Sequence, residues 1–358
     1  MKHVYILINH LQLQDGVARA AIRLANELAK QPDVAVTLQS LFRFDRKMCH
    51  HLSPAVRCRP FLGFYFRGLA KLVDLIPDRI LHKILVRQHY DLQIGYCMEL
   101  PIKIIAAGTD PSTRRYAWIH GYDEGISLRS SYEKMDKIIT VSQQNAARLH
   151  QETNGALSAH CCHNLMDDGA ICNLGQESID LPADEIVTFV SVGRLERNKG
   201  ILRLIECCNR LKQAHYSFRL WIIGDGPERK TLEARVRSLD LCNEIQILGA
   251  QQNPYAYMAK ADVLVCPSYS EGYSTVCAEA IVLNVPVLTT RVGGAAEIIG
   301  EAQAGLLVEQ EDDALYEGMK QILDHPEQIA QWKDTLQITK QRFSRENRAK
   351  ELFTALEL

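Results

Sequence analysis

The sequence predicts an α/β protein built of two doubly wound, Rossmann-like domains. Three observations support this prediction. The length of 358 residues suffices for two hydrophobic cores. Short apolar strands, loops and amphipathic helices follow one another repeatedly, and one polar stretch interrupts this order near the middle. The predicted domains are residues 1–175 and 176–339, and a final helix at 340–358 is expected to pack back onto the first domain.

The first domain begins with a strand and a helix of clear pattern. Val4–Ile8 is an apolar run typical of a buried parallel strand, and Gly16–Leu28 has apolar residues at helical spacing. Turn or helix signals follow each further strand, which favours a parallel sheet wrapped by helices. Those strands are predicted at Val34–Leu38, Leu92–Tyr96, Tyr116–Ile119 and Lys137–Val141.

A polar linker separates the two repeats. Asn173–Glu185 contains Gly175 and Pro182 and has no apolar period. Beyond it a helix is predicted at Pro227–Leu239, because proline suits a first helical turn, and Gln331–Leu358 is predicted to be helical. Two such sheets in series are expected to leave a ligand-binding cleft at their strand ends. The strands of the second domain are predicted at Ile186–Val192, Arg219–Ile223, Ile245–Leu248, Val263–Cys266, Val285–Thr289 and Gly305–Val308.

Composition excludes several classes of function. Lys and Arg number 41 against 43 Asp and Glu, so no excess of charge indicates a nucleic-acid partner. The 11 cysteines contain no Cys-x-x-Cys pair and indicate a reducing compartment. The first apolar run is too short for a signal peptide, and no run approaches the length of a membrane span. We therefore expect a cytoplasmic protein.

The stretch from Glu271 to Glu279 is the richest in potential chemistry. It follows a predicted buried strand and enters an apolar helix that Ser274 or Thr275 can cap. The free amides of such a helix attract phosphate, and Gly272 allows close approach of the backbone. Two carboxylates from this stretch can accept paired hydrogen bonds from sugar hydroxyls. The alternative is an ordinary capped helix with both glutamates in solvent.

A second group of residues follows the first strand of the second domain. Arg194 and Lys199 have glycines beside them, and fixed positive charge with close backbone approach suits a diphosphate leaving group. The alternative is a pair of ordinary surface cations. Gly224–Pro227 predicts a tight strand-to-helix turn, which is common in α/β proteins.

Together these residues resemble the GT4 family of retaining glycosyltransferases, which have the GT-B fold. The resemblance covers the second domain in order: Gly193–Gly200, Gly224–Pro227, the pair Glu271 and Glu279, and the turn Val292–Gly294. One departure is Ser274, which stands where the family usually has proline. The resemblance implies a GT-B protein that moves a sugar from a nucleotide diphosphate donor.

The resemblance also implies roles for single residues. Arg194 and Lys199 would bind the donor diphosphate, Glu271 would contact the transferred sugar, and Glu279 would hold the ribose. The other donor-binding residues predicted on this basis are Gly16, Gly224, Gln251, Gly272, Tyr273, Ser274 and Thr275.

In the first domain the resemblance is weaker. Asp15 stands where the family has the first glycine of a pair, before Gly16. His120 resembles the strand-end histidine that borders the reacting sugar, and we predict it and Glu271 as the catalytic residues. For His120 the alternative is packing or hydrogen bonding. The segment His163–Asp167 resembles a motif that precedes the linker, with a structural role.

The implied reaction is transfer with retention by same-face attack, in which the departing phosphate takes the acceptor proton. No protein nucleophile is implied, and neither a metal nor another cofactor is expected. The run His160–His163 suggests zinc, but its adjacent cysteines suit a structural site poorly and no second ligand cluster follows. The favoured substrates are a UDP-hexose or UDP-N-acetylhexosamine and a glycan or lipid-linked acceptor of a bacterial surface polysaccharide.

Three other functions compete with this prediction. A GT-B nucleotide-sugar epimerase or hydrolase would need no acceptor, and a non-catalytic nucleotide-sugar-binding subunit would show no turnover. The presence of both Glu271 and Glu279 argues against the subunit. A dehydrogenase is disfavoured because no Gly-x-Gly-x-x-Gly follows the first strand.

One segment predicts a further partner. Residues 59–90 mix large apolar and basic side chains, a pattern typical of helices that lie on anionic membranes. The alternative is a helix pair packed on the first sheet with a solvated basic face. The protein is therefore expected in the cytoplasm, with peripheral contact to the inner face of the cytoplasmic membrane.

Overall fold

The computed structural model describes residues 1–12, 16–97, 100–121, 129–179 and 186–358. It confirms the predicted fold class, because two α/β units each contain one parallel sheet. The first domain comprises Met1–Leu165 and Ala349–Leu358, and the second comprises Met166–Arg348.

The sheet of the first domain has the strand order β3-β2-β1-β4-β5-β6-β7, with all neighbours parallel. Its central strands are buried because helices cover both faces. The strands are β1 (Lys2–Ile8), β2 (Val34–Ser40), β3 (Val56–Pro60), β4 (Leu92–Tyr96), β5 (Arg114–Ile119), β6 (Lys137–Thr140) and β7 (His160–Cys161).

The helices of the first domain follow the strands. The first has the predicted bounds and buries its alanine and leucine face. Ser142 caps the sixth, since its side chain accepts a hydrogen bond from the Asn145 amide. They are α1 (Gly16–Leu28), α2 (Leu69–Asp74), α3 (Asp78–Leu85), α4 (Leu100–Ala106), α5 (Arg129–Tyr132) and α6 (Gln143–Glu152), with a 3₁₀ turn at Arg46–His51.

The sheet of the second domain has the order β10-β9-β8-β11-β12-β13, again parallel. The direction in which successive strands are added reverses between β8 and β11. The loops that follow these two strands therefore leave the same edge of the sheet, on either side of a topological switch point. The strands are β8 (Thr188–Val192), β9 (Arg219–Ile223), β10 (Ile245–Gly249), β11 (Val263–Cys266), β12 (Val287–Thr290) and β13 (Gly305–Val308).

The remaining helices follow β7 in the chain; all belong to the second domain except α15, which enters the first domain at Ala349. Asn253 caps the tenth helix, and Pro254 occupies its first turn. The helices are α7 (Asp168–Gly175), α8 (Ile201–Gln213), α9 (Arg229–Ser238), α10 (Pro254–Lys260), α11 (Thr275–Val282), α12 (Ala295–Ala302), α13 (Asp312–Asp324), α14 (Glu327–Thr339) and α15 (Arg345–Leu356), with 3₁₀ turns at Arg197–Lys199 and Lys340–Phe343.

The boundary between the two domains differs from the one predicted from the sequence. The chain passes into the second domain after Leu165 instead of after residue 175, because α7 packs against α10 and α11. It returns within α15, where the Lys137 ammonium donates a 3.0 Å hydrogen bond to the Ala355 carbonyl. The part of 340–358 before Ala349 stays with the second domain.

The structure also bears on two predictions made from composition, which concern membrane-spanning segments and the state of the cysteines. No helix in the described ranges is both long enough and apolar enough to span a membrane. The cysteines whose side chains the structure describes are all free thiols, as the spacing of the cysteines predicts.

Candidate functional site

The switch point of the second sheet brings together two predicted site residues. The Lys199 ammonium, on the loop after β8, lies 2.8 Å from Oε1 of Glu271, on the loop after β11. Ser268 donates a 2.7 Å hydrogen bond to the same oxygen. Burial opposes the charge of Lys199, but the neighbouring Glu271 carboxylate outweighs burial and raises its pKa. The site therefore holds a fixed ion pair at the strand edge where α/β proteins bind ligands.

Backbone contacts hold the two loops close together. The amide of Tyr269 donates a 2.7 Å hydrogen bond to the Asn198 carbonyl. Gly200 has φ +67°, and a Cβ there would lie 1.9 Å from the Pro267 carbonyl oxygen. Only glycine allows this approach, so Gly200 fixes the position of Lys199 relative to the second loop.

Arg203 is a positioning residue that sequence reasoning missed. Its guanidinium is buried and donates hydrogen bonds of 2.7 and 2.8 Å to the carbonyls of Pro267 and Ser268, and one of 2.9 Å to that of Gln310. It also lies 4.0 Å from the centre of the Tyr269 ring. The one available signal was a basic residue on the apolar face of a helix.

Glycines bring a third loop to the same edge. Gly224, after β9, has φ +143°, and a Cβ there would lie 1.8 Å from the Gly193 carbonyl oxygen. A Cβ at Gly193, by contrast, would have no atom within 4 Å in the described part of the chain. The backbone at Gly193 is therefore open to a ligand, while Gly224 is required by packing.

The N-terminus of α11 lies beside this edge. Ser274 occupies the N-cap position with extended backbone, but its side chain makes no cap hydrogen bond. Its hydroxyl lies instead 3.6 Å from the Cys266 sulfur. Ser274 thus has the predicted cap position, but its side chain does not form the cap hydrogen bond, because the hydroxyl turns toward the end of β11. Thr275 is the first residue of the helix and is half-buried.

Glu279 lies further along α11, where Tyr255 donates a 3.1 Å hydrogen bond to its Oε1. Sequence reasoning missed Tyr255, since nothing in its local pattern indicates a carboxylate partner. The two glutamates thus have different neighbours in the structure.

The other predicted donor-binding residues of the second domain differ in accessibility. Arg194 is 61% exposed and lies 3.6 Å from Glu196. Gln251 is half-buried, and its side chain donates a 2.7 Å hydrogen bond to the Leu248 carbonyl. The Tyr273 ring is buried, and its hydroxyl lies 3.3 Å from Arg348. The Tyr273 side chain is therefore part of the domain interior.

Gly16 and His120 are the predicted site residues of the first domain. Gly16 begins α1 and is exposed, and a Cβ at this position would have no atom within 4 Å among the described residues. Asp15 lies outside the described residues. His120 directly follows β5, packs 4.6 Å from the Tyr96 ring, and has a buried Nε2 with no hydrogen-bond partner in the described ranges. Burial lowers the pKa of His120 to about 3, so the imidazole is neutral near pH 7.

Two carboxylates close to the predicted linker contact the first turns of helices. The Asp167 side chain accepts a 3.3 Å hydrogen bond from the Ala170 amide and caps α7. Asp168 accepts one of 3.1 Å from the amide of Arg345. Both carboxylates are thus used to fix the ends of helices.

Comparisons with known proteins agree with this architecture. Residues 177–337 match the profile of the family described as glycosyl transferases group 1. The lipopolysaccharide core biosynthesis glycosyltransferase LpsE of Rhizobium meliloti is 30% identical over 300 residues, which are 84% of this chain and 83% of that protein. Anabaena HepE, solved in complex with UDP, has the same fold over 100% of both chains, with a TM-score of 0.78 and 19% identity.

A further relative is the N-acetylgalactosamine-N,N'-diacetylbacillosaminyl-diphospho-undecaprenol 4-alpha-N-acetylgalactosaminyltransferase of Campylobacter jejuni. It is 33% identical over 195 residues, or 54% of this chain, and the chain spans about half (52%) of that enzyme's length.

Two parallel-sheet domains with these neighbours define a protein of the GT-B fold class. The chain belongs to the glycosyl transferases group 1 family.

Proposed function

We propose that this protein is a retaining glycosyltransferase that moves a hexose or N-acetylhexosamine from a UDP-sugar to a glycan or lipid-linked acceptor of a bacterial surface polysaccharide. The observation that carries the proposal is the Lys199–Glu271 pair at the switch point of the second sheet. The names of LpsE and of the Campylobacter enzyme, and the UDP bound to HepE, support the substrate class.

The residues of the second domain suit a nucleoside diphosphate leaving group. Lys199 and the exposed Arg194 supply positive charge, and the N-terminus of α11 supplies amides that no Ser274 side chain occupies. Stabilising the developing charge on the leaving diphosphate lowers the barrier directly. The open backbone at Gly193 lets the phosphates approach closely.

The two glutamates bind different parts of the donor, namely the transferred sugar and the ribose. Glu271, held by Lys199 and Ser268, accepts hydrogen bonds from the transferred sugar. Glu279, oriented by Tyr255, accepts them from the ribose. In the first domain the neutral His120 borders the reacting sugar and offers a hydrogen bond without adding charge. The acceptor hydroxyl attacks the sugar from the side of the leaving phosphate, and a phosphate oxygen takes its proton.

One experiment tests this function. The purified protein is incubated with a panel of nucleotide sugars, with and without a lipid-linked glycan acceptor, and products are followed by NMR at the anomeric carbon. We expect release of UDP that depends on the acceptor, with retained configuration. Release without any acceptor would indicate a hydrolase or epimerase, and absence of turnover with donor bound would indicate a non-catalytic subunit.

Transfer is proposed to need no divalent metal, because Lys199 and Arg194 offer the charge that a metal would otherwise supply to the diphosphate. Turnover measured in EDTA should equal turnover in its absence. Loss of activity in EDTA with recovery on adding manganese or magnesium would contradict this.

We further propose peripheral, cytoplasmic contact with an anionic membrane through α2 and α3 and the segment before them. The apolar side chains there are unusually exposed: Leu75 by 79%, Leu72 and Phe64 by 55%, Phe66 by 51% and Ile80 by 49%. Five basic residues in the same region are exposed as well: Arg67, Lys71, Arg79, Lys83 and Arg87. Exposed apolar groups that alternate with cations match the chemistry of an anionic bilayer surface.

Vesicle flotation tests this contact. The protein should float with vesicles that contain phosphatidylglycerol and not with pure phosphatidylcholine, and Leu75→Asp should abolish flotation. Ile338→Asp is the matched control, because Ile338 is 71% exposed in the second domain. Equal recovery with both vesicles, or equal loss in both variants, would contradict the proposal.

A further inference from the structure

A group of three polar residues lies in the first domain, and none of the three is among the residues proposed to bind the donor. Cys161 at the end of β7, His163 just beyond it and Glu351 on α15 have potential ligand atoms within 4.8 Å of one another. The Cys161 sulfur lies 3.6 Å from Nε2 of His163. The other ring nitrogen, Nδ1 of His163, lies 2.8 Å from Oε1 of Glu351.

The order of these contacts is that of a thiol, a base and an orienting carboxylate. Glu351 also accepts a 3.2 Å hydrogen bond from the His163 amide, so its carboxylate is fixed in place. A carboxylate at Nδ1 keeps the proton on that nitrogen, and Nε2 is then free of hydrogen and faces the sulfur. An imidazole in this position takes the thiol proton and leaves a thiolate beside an imidazolium, as in cysteine nucleophiles generally.

The environment suits a reaction at the sulfur. Cys161 is half-buried, so part of the residue is exposed to solvent, whereas the His163 side chain is only 4% exposed. Cys162, by contrast, is buried, and its sulfur lies 3.9 Å from the His163 carbonyl oxygen. The arrangement therefore distinguishes Cys161 from its neighbour in the sequence.

We propose that Cys161 is a nucleophilic thiol, activated by His163 and Glu351, and the site of reversible modification by small disulfides. The Cys161 thiolate attacks one sulfur of the disulfide, a new S–S bond forms, and the old S–S bond breaks. The departing thiolate takes the proton held by the His163 imidazolium, so the thiol of the small molecule is released and no other oxidant is consumed.

The position of the site gives the modification a structural meaning. The chain leaves the first domain after Leu165 and re-enters it at Ala349. His163 and Glu351 lie next to these two crossings and are joined across 188 residues of sequence. A group attached at Cys161 would lie against the hydrogen bond that joins the segments beside both crossings.

Site-resolved alkylation tests the proposal. The whole protein is treated with iodoacetamide at pH 6, where an ordinary thiol is almost entirely protonated, and each cysteine is followed by peptide mass spectrometry. We expect Cys161 to react at least about tenfold faster than Cys242, an exposed cysteine that serves as the internal reference. Glutathione disulfide should form a mixed disulfide at Cys161 first. Equal rates for the two cysteines in the unmodified protein would overturn the proposal.

Two variants separate activation from simple exposure. His163→Gln should bring the Cys161 rate down to that of Cys242, and Glu351→Gln should lower it partly, while the rate at Cys242 stays the same in both. A Cys161 rate that His163→Gln leaves unchanged would overturn the role of the imidazole. Zinc that co-purifies with the protein and is lost in His163→Gln would also overturn it, since the same Sγ and Nε2 could bind that metal.

Discussion

The Lys199 ammonium and the Glu271 carboxylate lie 2.8 Å apart although 72 residues separate them in the sequence. They come from the loops after β8 and β11, which are neighbouring strands of the second sheet. Each group offsets the charge of the other before any ligand binds. An anionic ligand that approaches Lys199 must therefore compete with Glu271, and a sugar that binds Glu271 leaves the ammonium more available to phosphate.

This pairing predicts different outcomes for the two glutamates. Glu271→Ala frees Lys199, so affinity for UDP should not fall, while turnover should fall by about ten- to a hundredfold through loss of a charge-assisted hydrogen bond to the sugar. Glu279→Gln keeps an acceptor for Tyr255 but should weaken both UDP and the UDP-sugar, which share the ribose. Calorimetry with UDP and steady-state kinetics measure the two effects. If Glu271→Ala weakens UDP as much as Glu279→Gln does, the assigned roles are wrong.

Two glycines of the site should respond in opposite ways to alanine. Gly193→Ala adds a methyl group with no described atom within 4 Å, so stability should hold while UDP affinity falls, because the methyl occupies the space open to phosphates. Gly224→Ala places Cβ 1.8 Å from the Gly193 carbonyl oxygen, so it should lower the free energy of unfolding by about 1–3 kcal/mol. Thermal unfolding and calorimetry with UDP distinguish the cases. Unchanged UDP affinity in a folded Gly193→Ala protein would show that no ligand approaches there.

Arg203 and Arg210 provide a matched pair on α8. Both lie over tyrosine rings, at 4.0 and 3.9 Å, but the Arg203 side chain is 2% exposed and that of Arg210 is 40% exposed. Arg203→Met leaves buried carbonyls without donors and should cost on the order of 3 kcal/mol, whereas Arg210→Met should cost less than about 1 kcal/mol. Urea unfolding measures both costs.

The positioning role of Arg203 needs a second measurement. In Arg203→Lys the charge remains but the forked hydrogen bonds to the loop after β11 do not. This variant should lower turnover at saturating donor even under conditions where it stays fully folded. Normal turnover in folded Arg203→Lys would show that the residue only stabilises the domain.

The buried His120 predicts a pH dependence of stability. Its folded-state pKa is about 3, against a usual value of 6.5, so between these values the unfolded chain binds a proton that the folded chain does not. Stability should therefore fall as pH drops below the usual value, by about 2 kcal/mol at pH 5. His120→Asn should remove this part of the loss, while His50→Asn, at an exposed histidine, should retain it. Hydrogen exchange of the β5 amides at pH 7 and pH 5 measures how much the free energy of unfolding falls between the two pH values. An equal fall in the wild-type protein and in both variants would contradict the prediction.

The sequence predicted most of the fold because its strands are short apolar runs between helices of clear period. Each predicted strand has a counterpart in the structure, and α1 has the predicted bounds. It missed β3 and β7, which are the two edge strands of the first sheet. Edge strands are covered less completely and tolerate polar residues such as Arg57 and Arg59, so their apolar pattern is weak.

The motifs after β8 and β11 also fixed the candidate residues, since glycine, cation and carboxylate types follow from local chemistry. Only the tertiary structure decided which of them meet. The strand order places β8 beside β11, and this adjacency joins Lys199 to Glu271. The same holds for the link between His163 and Glu351. Whether a segment forms a helix or a strand depends mainly on residues close to it in the sequence. Contacts between distant residues depend instead on which strands and helices share a buried surface. Which elements share a surface is determined by the packing of the whole domain.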